Sequence, residues 1–330
     1  MSVDLSVLTA APRLLFAIPL RPVQGARFQP TGFPGLGAAS YQTSRGSSLL
    51  VESAQSMANR LESVCWDETV CGPVRALTGI SHVSVTRAGA FYTDTMLEAH
   101  RLNSPYLLEN SDRSFIDELK GKLTGLDEGP IDRRKFAGVL LDYDVSCLLH
   151  GVFLAKSALA GGRLRVARAL SAFIEADGVR TVASGGVKND HVNPSGATNL
   201  GFGNVPFARD EFTAESITLF VNLDLALLRG YALGDDVERL LVLLALYKVA
   251  ALLERGLRLR TACDLEAVGP RVGATRPDGF LLPDVSALSA AVQSAITVVG
   301  RRMTHRVFAF EDSVKKGKDD DETASDPAGA

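Results

Sequence analysis

The chain has 330 residues, 46% of them hydrophobic and 22% charged, with a formal net charge of −3, a composition with room for one large or two modest domains. That balance excludes nucleic-acid binding by bulk charge alone: residues 311–330 carry seven acids against three lysines, so the other 310 residues stand near +1 and any RNA contact must come from local clusters. Four scattered cysteines (Cys65, Cys71, Cys147 and Cys263) suggest neither a zinc site nor a disulfide framework and are expected as buried, reduced thiols. The longest apolar run, 240–253, contains Lys248 and is too short to span a bilayer, and with no leader pattern a cytoplasmic protein is expected.

In chain order, Leu14, Phe16, Ile18 and Leu20 alternate and predict a first strand, followed by a loop rich in Pro and Gly over 22–37. Leu50, Ala54, Met57, Leu61 and Val64 recur at steps of four and three, which predicts an amphipathic helix over 50–66 with Gln55, Ser56, Asn59 and Arg60 on its polar face. From about 67 to 162 the pattern weakens to short helical pieces such as 114–123, with no long strand, as in an insertion. After 163–176 comes a Gly/Asn/Pro-rich stretch, 184–206, that reads as a long exposed loop or hairpin.

Alternation from Ile217 to Leu227 predicts the clearest strand. A helix over 235–255 follows, opening on an Asp pair suited to capping and ending at Gly256, and a last strand is expected over 257–263. Residues 285–299 suggest one more helix, and the Lys/Asp/Glu-rich tail is expected to be disordered. Strand, helix, insertion, strand, loop, strand, helix, strand is the order of an α+β, ferredoxin-like (RRM-like) core.

In such a core both helices cover one sheet face, so alternation sends Leu257 and Leu259 beneath them and Arg258 and Arg260 to the other face, with Phe220 and Asn222. Arginines, an amide and an aromatic ring there match the stacking and phosphate contacts of RNA binding. The loop bearing Arg21, Gln24, Arg27 and Gln29 adds donors and leads to the helix with Gln55, Asn59 and Arg60. SGGVKND at 184–190 lacks P-loop spacing. His100, His150 and His191, with Asp144 and Asp190, are acid-base types, but no two lie at a spacing that forces them together, so no catalytic residue, metal site or cofactor is expected.

The sequence also resembles a known family, the RAMP-superfamily backbone subunit of type I-G (formerly I-U) CRISPR effector complexes. The resemblance runs over roughly 12–283 and is carried by PVQG at 22–25, RFQPTGFP at 27–34, LVESAQSMANRLE at 50–62, LEAHRLNSPY at 97–106, LHGVFL at 149–154 and LSAFIEA at 170–176. SGGVKND, GFGNVPF at 201–207 and GLRLRTACDL at 256–265 complete it. It implies an RRM-like palm over 1–66 and 163–283, a finger-like insertion over 67–162 and a thumb hairpin over 184–206, with a C-terminal helical segment (284–310) and the acidic tail (311–330) outside it. The glycine-rich loop typical of RAMP proteins after the last helix is reduced here to Gly256.

The function so implied is a non-catalytic subunit that binds crRNA through its phosphates and polymerises along it in series. It would do so beside other Cascade subunits and support recognition of the target DNA strand paired to the guide. The alternatives are a RAMP-type endoribonuclease that processes CRISPR repeat RNA and a stand-alone RNA-binding module. Besides the residues above, the expected RNA-binding set includes His100, Arg101, Arg168, Lys188, Asn189 and Phe202. Leu200 and Phe202 are the candidates to wedge between bases.

Overall fold

The computed structural model describes residues 3–33, 37–44 and 46–311, so the acidic tail predicted to be disordered lies, from Asp312 onward, outside the described residues. The principal elements are β1 (Leu14–Pro22), β2 (Ser40–Thr43), β3 (Gly46–Glu52), α1 (Ala54–Ser63), β4 (His82–Arg87), β5 (Ala90–Asp94), α2 (Ser114–Lys122), α3 (Arg133–Tyr143) and α4 (Ser146–His150). They continue with β6 (Leu170–Asp177), β7 (Arg180–Lys188), β8 (Val205–Thr213), β9 (Ser216–Leu223), α5 (Leu225–Gly230), α6 (Asp235–Arg255), β10 (Leu257–Arg260), β11 (Cys263–Ala267), α7 (Val285–Val299) and β12 (His305–Ala309).

Alternation builds the main sheet. β1, β6 and β9 each bury every second residue, and Phe16 and Ala172 flank Val221 in register on the buried side. Seven strands stand in the order β10-β11-β1-β9-β6-β3-β2, all pairs antiparallel. Within it, β11-β1-β9-β6 is the fourth, first, third and second strand of a β-α-β-β-α-β unit whose helices are α1 and α6. α1 packs on β6 and on α6, which places both helices on one face.

Two predicted boundaries move. The helix expected from residue 50 starts at Ala54, because Ser53 caps it (Ser56 N–H to Ser53 Oγ, 3.3 Å) and Leu49 and Val51 are buried in β3, paired with β6. The strand expected to run to Leu227 ends at Leu223, where the Asp224 carboxylate accepts the Leu227 N–H at 2.8 Å and starts α5. α6 forms as predicted, buried along most of its length, but Gly234 rather than an Asp is its first cap; Asp235 and Asp236 lie in the first turn, where acids favour the helix dipole.

The insertion holds more order than its sequence shows. β4 and β5 form a hairpin around Ala88 and Gly89, both at positive φ (50° and 78°), the geometry of a tight two-residue turn. β12 then pairs in parallel with β4, so the C-terminal segment, expected only as helix, completes the insertion's sheet while α7 packs on α6. A buried ion pair, Glu62 on α1 with Arg101, ties the insertion to the core.

Candidate nucleic-acid interface

The sheet face away from α1 and α6 is half open, and at its centre Phe173 and Phe220 stand opposite each other in register, rings stacked 5.2 Å apart. Phe220 and Asn222 therefore lie on the face the sequence predicted. The Asn222 Oδ1 is buried and accepts no hydrogen bond from the described residues. Phe173 was missed, although the alternation of Leu170, Ala172, Ile174 and Ala176 already turned it to that face. The rings offer a platform on which a flat base can stack.

The two edge arginines part company. Arg258 is exposed, across from Asp264. Arg260 does not join it in solvent: the pairing shifts register after Arg258, and Arg260, half-buried, pairs with Glu52 and donates to the Gln29 carbonyl at 2.8 Å. The reason is Glu52, 1% exposed, whose buried carboxylate needs compensation. Its other oxygen takes Ser56 Oγ and, at 2.9 Å, Arg60 Nε, so Arg60 is also committed. Gln29 is held by backbone bonds in this network.

Arg101 is corrected in the same way. It is 6% exposed, with Nε donating to Glu62 at 2.8 Å, and cannot reach a phosphate at the surface. Arg168 is half-buried and donates to the Ala54 carbonyl at 2.8 Å. Gln55, Asn59 and His100 are exposed, as are Gln24 and Arg21, the latter paired with Glu266.

The 184–206 stretch belongs to a hairpin longer than predicted: β7 and β8 pair from Arg180–Thr213 out to Lys188–Val205. Its tip is built around Asp190, whose carboxylate accepts the N–H groups of Val192, Asn193 and Gly203 at 2.8 to 3.0 Å; these bonds hold the Asp190 carboxyl below its usual range. From this tip Val192 (96% exposed), Leu200 (71%) and Phe202 (53%) project, with Lys188 and Asn189 exposed beside them. At the hairpin's base, Phe28 and Phe212 exchange backbone hydrogen bonds, which pins the loop after β1 to β8. Arg27 (57% exposed) and Arg209 (37%) flank the buried Glu211 carboxylate there. Nothing in the sequence singles out Arg209, and only the pairing of loop with hairpin reveals it.

The histidines considered for catalysis stay apart. His150 is buried against Lys248 (Nζ to Nε2, 3.0 Å), and burial, then the Lys248 charge, pushes its pKa well below the usual histidine range. His191 is exposed on the hairpin, and Asp144 is buried beside Cys147. The fold instead gathers His82, Asp94 and His305, which no spacing in the sequence suggested. Cys65, Cys147 and Cys263 are buried free thiols, whereas Cys71 is exposed, contrary to expectation.

A family model described as CRISPR-associated protein GSU0053 matches residues 14–181, just over half of the chain. Comparison with curated proteins finds no match. Among solved structures, a chain of a CRISPR RNA-guided surveillance complex in a pre-nicking state is similar at 13% identity and a TM-score of 0.39, over 77% of this chain and 73% of that one. Csc2 of Thermofilum pendens is similar at 11% identity and a TM-score of 0.32, over 92% of this chain and 79% of that one.

Proposed function

The chain belongs to the CRISPR-associated protein GSU0053 family, and from that premise we propose that it is a crRNA-binding backbone subunit of a type I-G interference complex, a RAMP-superfamily protein that lines up in copies along the guide. The observation that carries this reading is the β7–β8 hairpin, a firmly paired arm with apolar residues at its tip and two arginines at its root. In water an arm of that kind has nothing to bury its tip against. Between the bases of an RNA held by a neighbouring copy, Leu200 and Phe202 replace stacking that is lost where the strand is kinked.

In this reading the βαββαβ core is the palm, the insertion with β12 is the finger, and the hairpin is the thumb. Arg27, Arg209, Arg258, Arg21 and Lys188 meet phosphates, which confers affinity without sequence preference. Phe173 and Phe220 receive a base. The subunit does no chemistry of its own, acts in the cytoplasm, and takes the guide, the DNA strand paired to it, other Cascade subunits and further copies of itself as partners. Among the described residues no helix is long and apolar enough to cross a membrane.

Binding to two RNAs of equal length and unrelated sequence, measured across a salt series, tests the proposal. Equal affinities that fall log-linearly with salt support it; preference for one sequence, or no binding to either, contradicts it.

A further inference from the structure

The small sheet of β12, β4 and β5 collects a polar cluster that RNA binding does not use. His305 and His82 face each other in register across β12 and β4, and Ser84, on the same face as His82, faces Asp94 on β5. His82 Nδ1 lies 2.7 Å from Asp94 Oδ2, and Ser84 Oγ donates to that same oxygen at 2.7 Å while standing 2.9 Å from His305 Nε2. The imidazole rings stack 4.1 Å apart. Asp94 is 0% exposed, and its other oxygen accepts the Met96 N–H at 2.9 Å. One ligating atom from each of His82, Asp94 and His305 lies within 4.8 Å of the others, and both imidazoles line a cavity of about 800 Å³ that Cys71 also borders.

We propose that this cluster binds one divalent transition-metal ion of the zinc class through His82 Nδ1, Asp94 Oδ2 and His305 Nε2, with solvent from the cavity in the fourth position. Two imidazoles and one carboxylate select zinc and its neighbours over magnesium or calcium, which prefer all-oxygen sites. The ion takes the place of the direct contact between His82 Nδ1 and Asp94 Oδ2. Met96 N–H fixes the carboxylate from behind, as an outer partner of a metal ligand does. Ligand atoms around a tetrahedral ion stand about 3.4 Å apart at bonds near 2.1 Å. His305, at the exposed end, closes the remaining gap by turning between side-chain rotamers. Bound there, the ion clamps the C-terminal strand β12 onto the β4–β5 hairpin and so fixes the insertion to the rest of the chain.

The test is titration of chelator-treated, full-length protein with cobalt(II), followed by visible absorption, with zinc(II) as competitor. The wild type should take up one equivalent with the absorption of a four-coordinate site, displaced by zinc. His305→Ala changes an exposed side chain, keeps the fold by circular dichroism, and should weaken binding by about tenfold or more. Cys71→Ser should behave as wild type. Absence of saturable uptake overturns the site. So does unchanged cobalt binding in both His305→Ala and His82→Gln, or loss of the absorption in Cys71→Ser.

Discussion

Phe28, in the loop after β1, and Phe212, near the end of β8, exchange both backbone hydrogen bonds at 2.9 Å, so the loop and the root of the hairpin form one unit. The Phe28 ring is 1% exposed, and it sets Arg27 beside Glu211. Phe28→Ala should cost about 3–5 kcal/mol in stability, the usual range for removing a buried ring, read by urea unfolding. A cost under about 1 kcal/mol, on the order of an exposed substitution, would mean that the loop does not anchor the hairpin.

The tip is predicted to act on RNA and not on the fold. Leu200→Ser with Phe202→Ser should leave the thermal midpoint unchanged, because both side chains are exposed. RNA affinity should fall by about 5- to 150-fold, the equivalent of about 1–3 kcal/mol for the stacking that the pair replaces. Unchanged affinity would remove the wedge.

Arg258 and Arg260 should separate cleanly. Arg258→Ala should lower the salt slope of RNA binding by about one counterion and spare stability. Arg260→Ala strips a counter-charge from the buried Glu52 and should destabilise the fold by about 3 kcal/mol or more. Chemical unfolding and binding in parallel decide; the reverse pattern would return Arg260 to the RNA face.

These arginines also mark how far the sequence could be read. Period-2 alternation placed β1 and β9 and put Phe220 on the open face, because side-chain period alone determines which face a strand residue takes. It could not foresee the partner of Arg260, because the buried carboxylate of Glu52 comes from a strand some two hundred residues earlier. The same non-local cause hid Arg101: nothing near it in sequence announces Glu62. The insertion was illegible for a related reason, since its sheet is completed by β12, which lies more than two hundred residues further along the chain. The hairpin was visible as composition, but its length required strand pairing to appear.

Asp144 makes a pH prediction. Burial raises its pKa to about 6, against the opposing pull of Arg101. With a folded-state pKa above the unfolded value, its contribution to stability is fully present below about pH 4 and is lost as pH rises through about 6, by up to about 3 kcal/mol. Asp144→Asn keeps the acceptor for the Ser146 N–H and removes the titration. Between pH 4 and 7 the wild type should lose more stability than Asp144→Asn; equal losses would place the carboxyl in solvent.

Assembly in series on a guide RNA is the activity proposed for this chain. Co-expression of the chain with a repeat–spacer–repeat RNA, followed by native mass measurement and sequencing of the RNA protected from nuclease, tests it most directly. Several copies on one RNA are expected, with protected length growing in equal steps as copies are added, and stepwise growth lost when residues 187–204 are replaced by a short Gly-Ser linker. A monomer that carries no RNA, or RNA shortened by the protein alone, would contradict it.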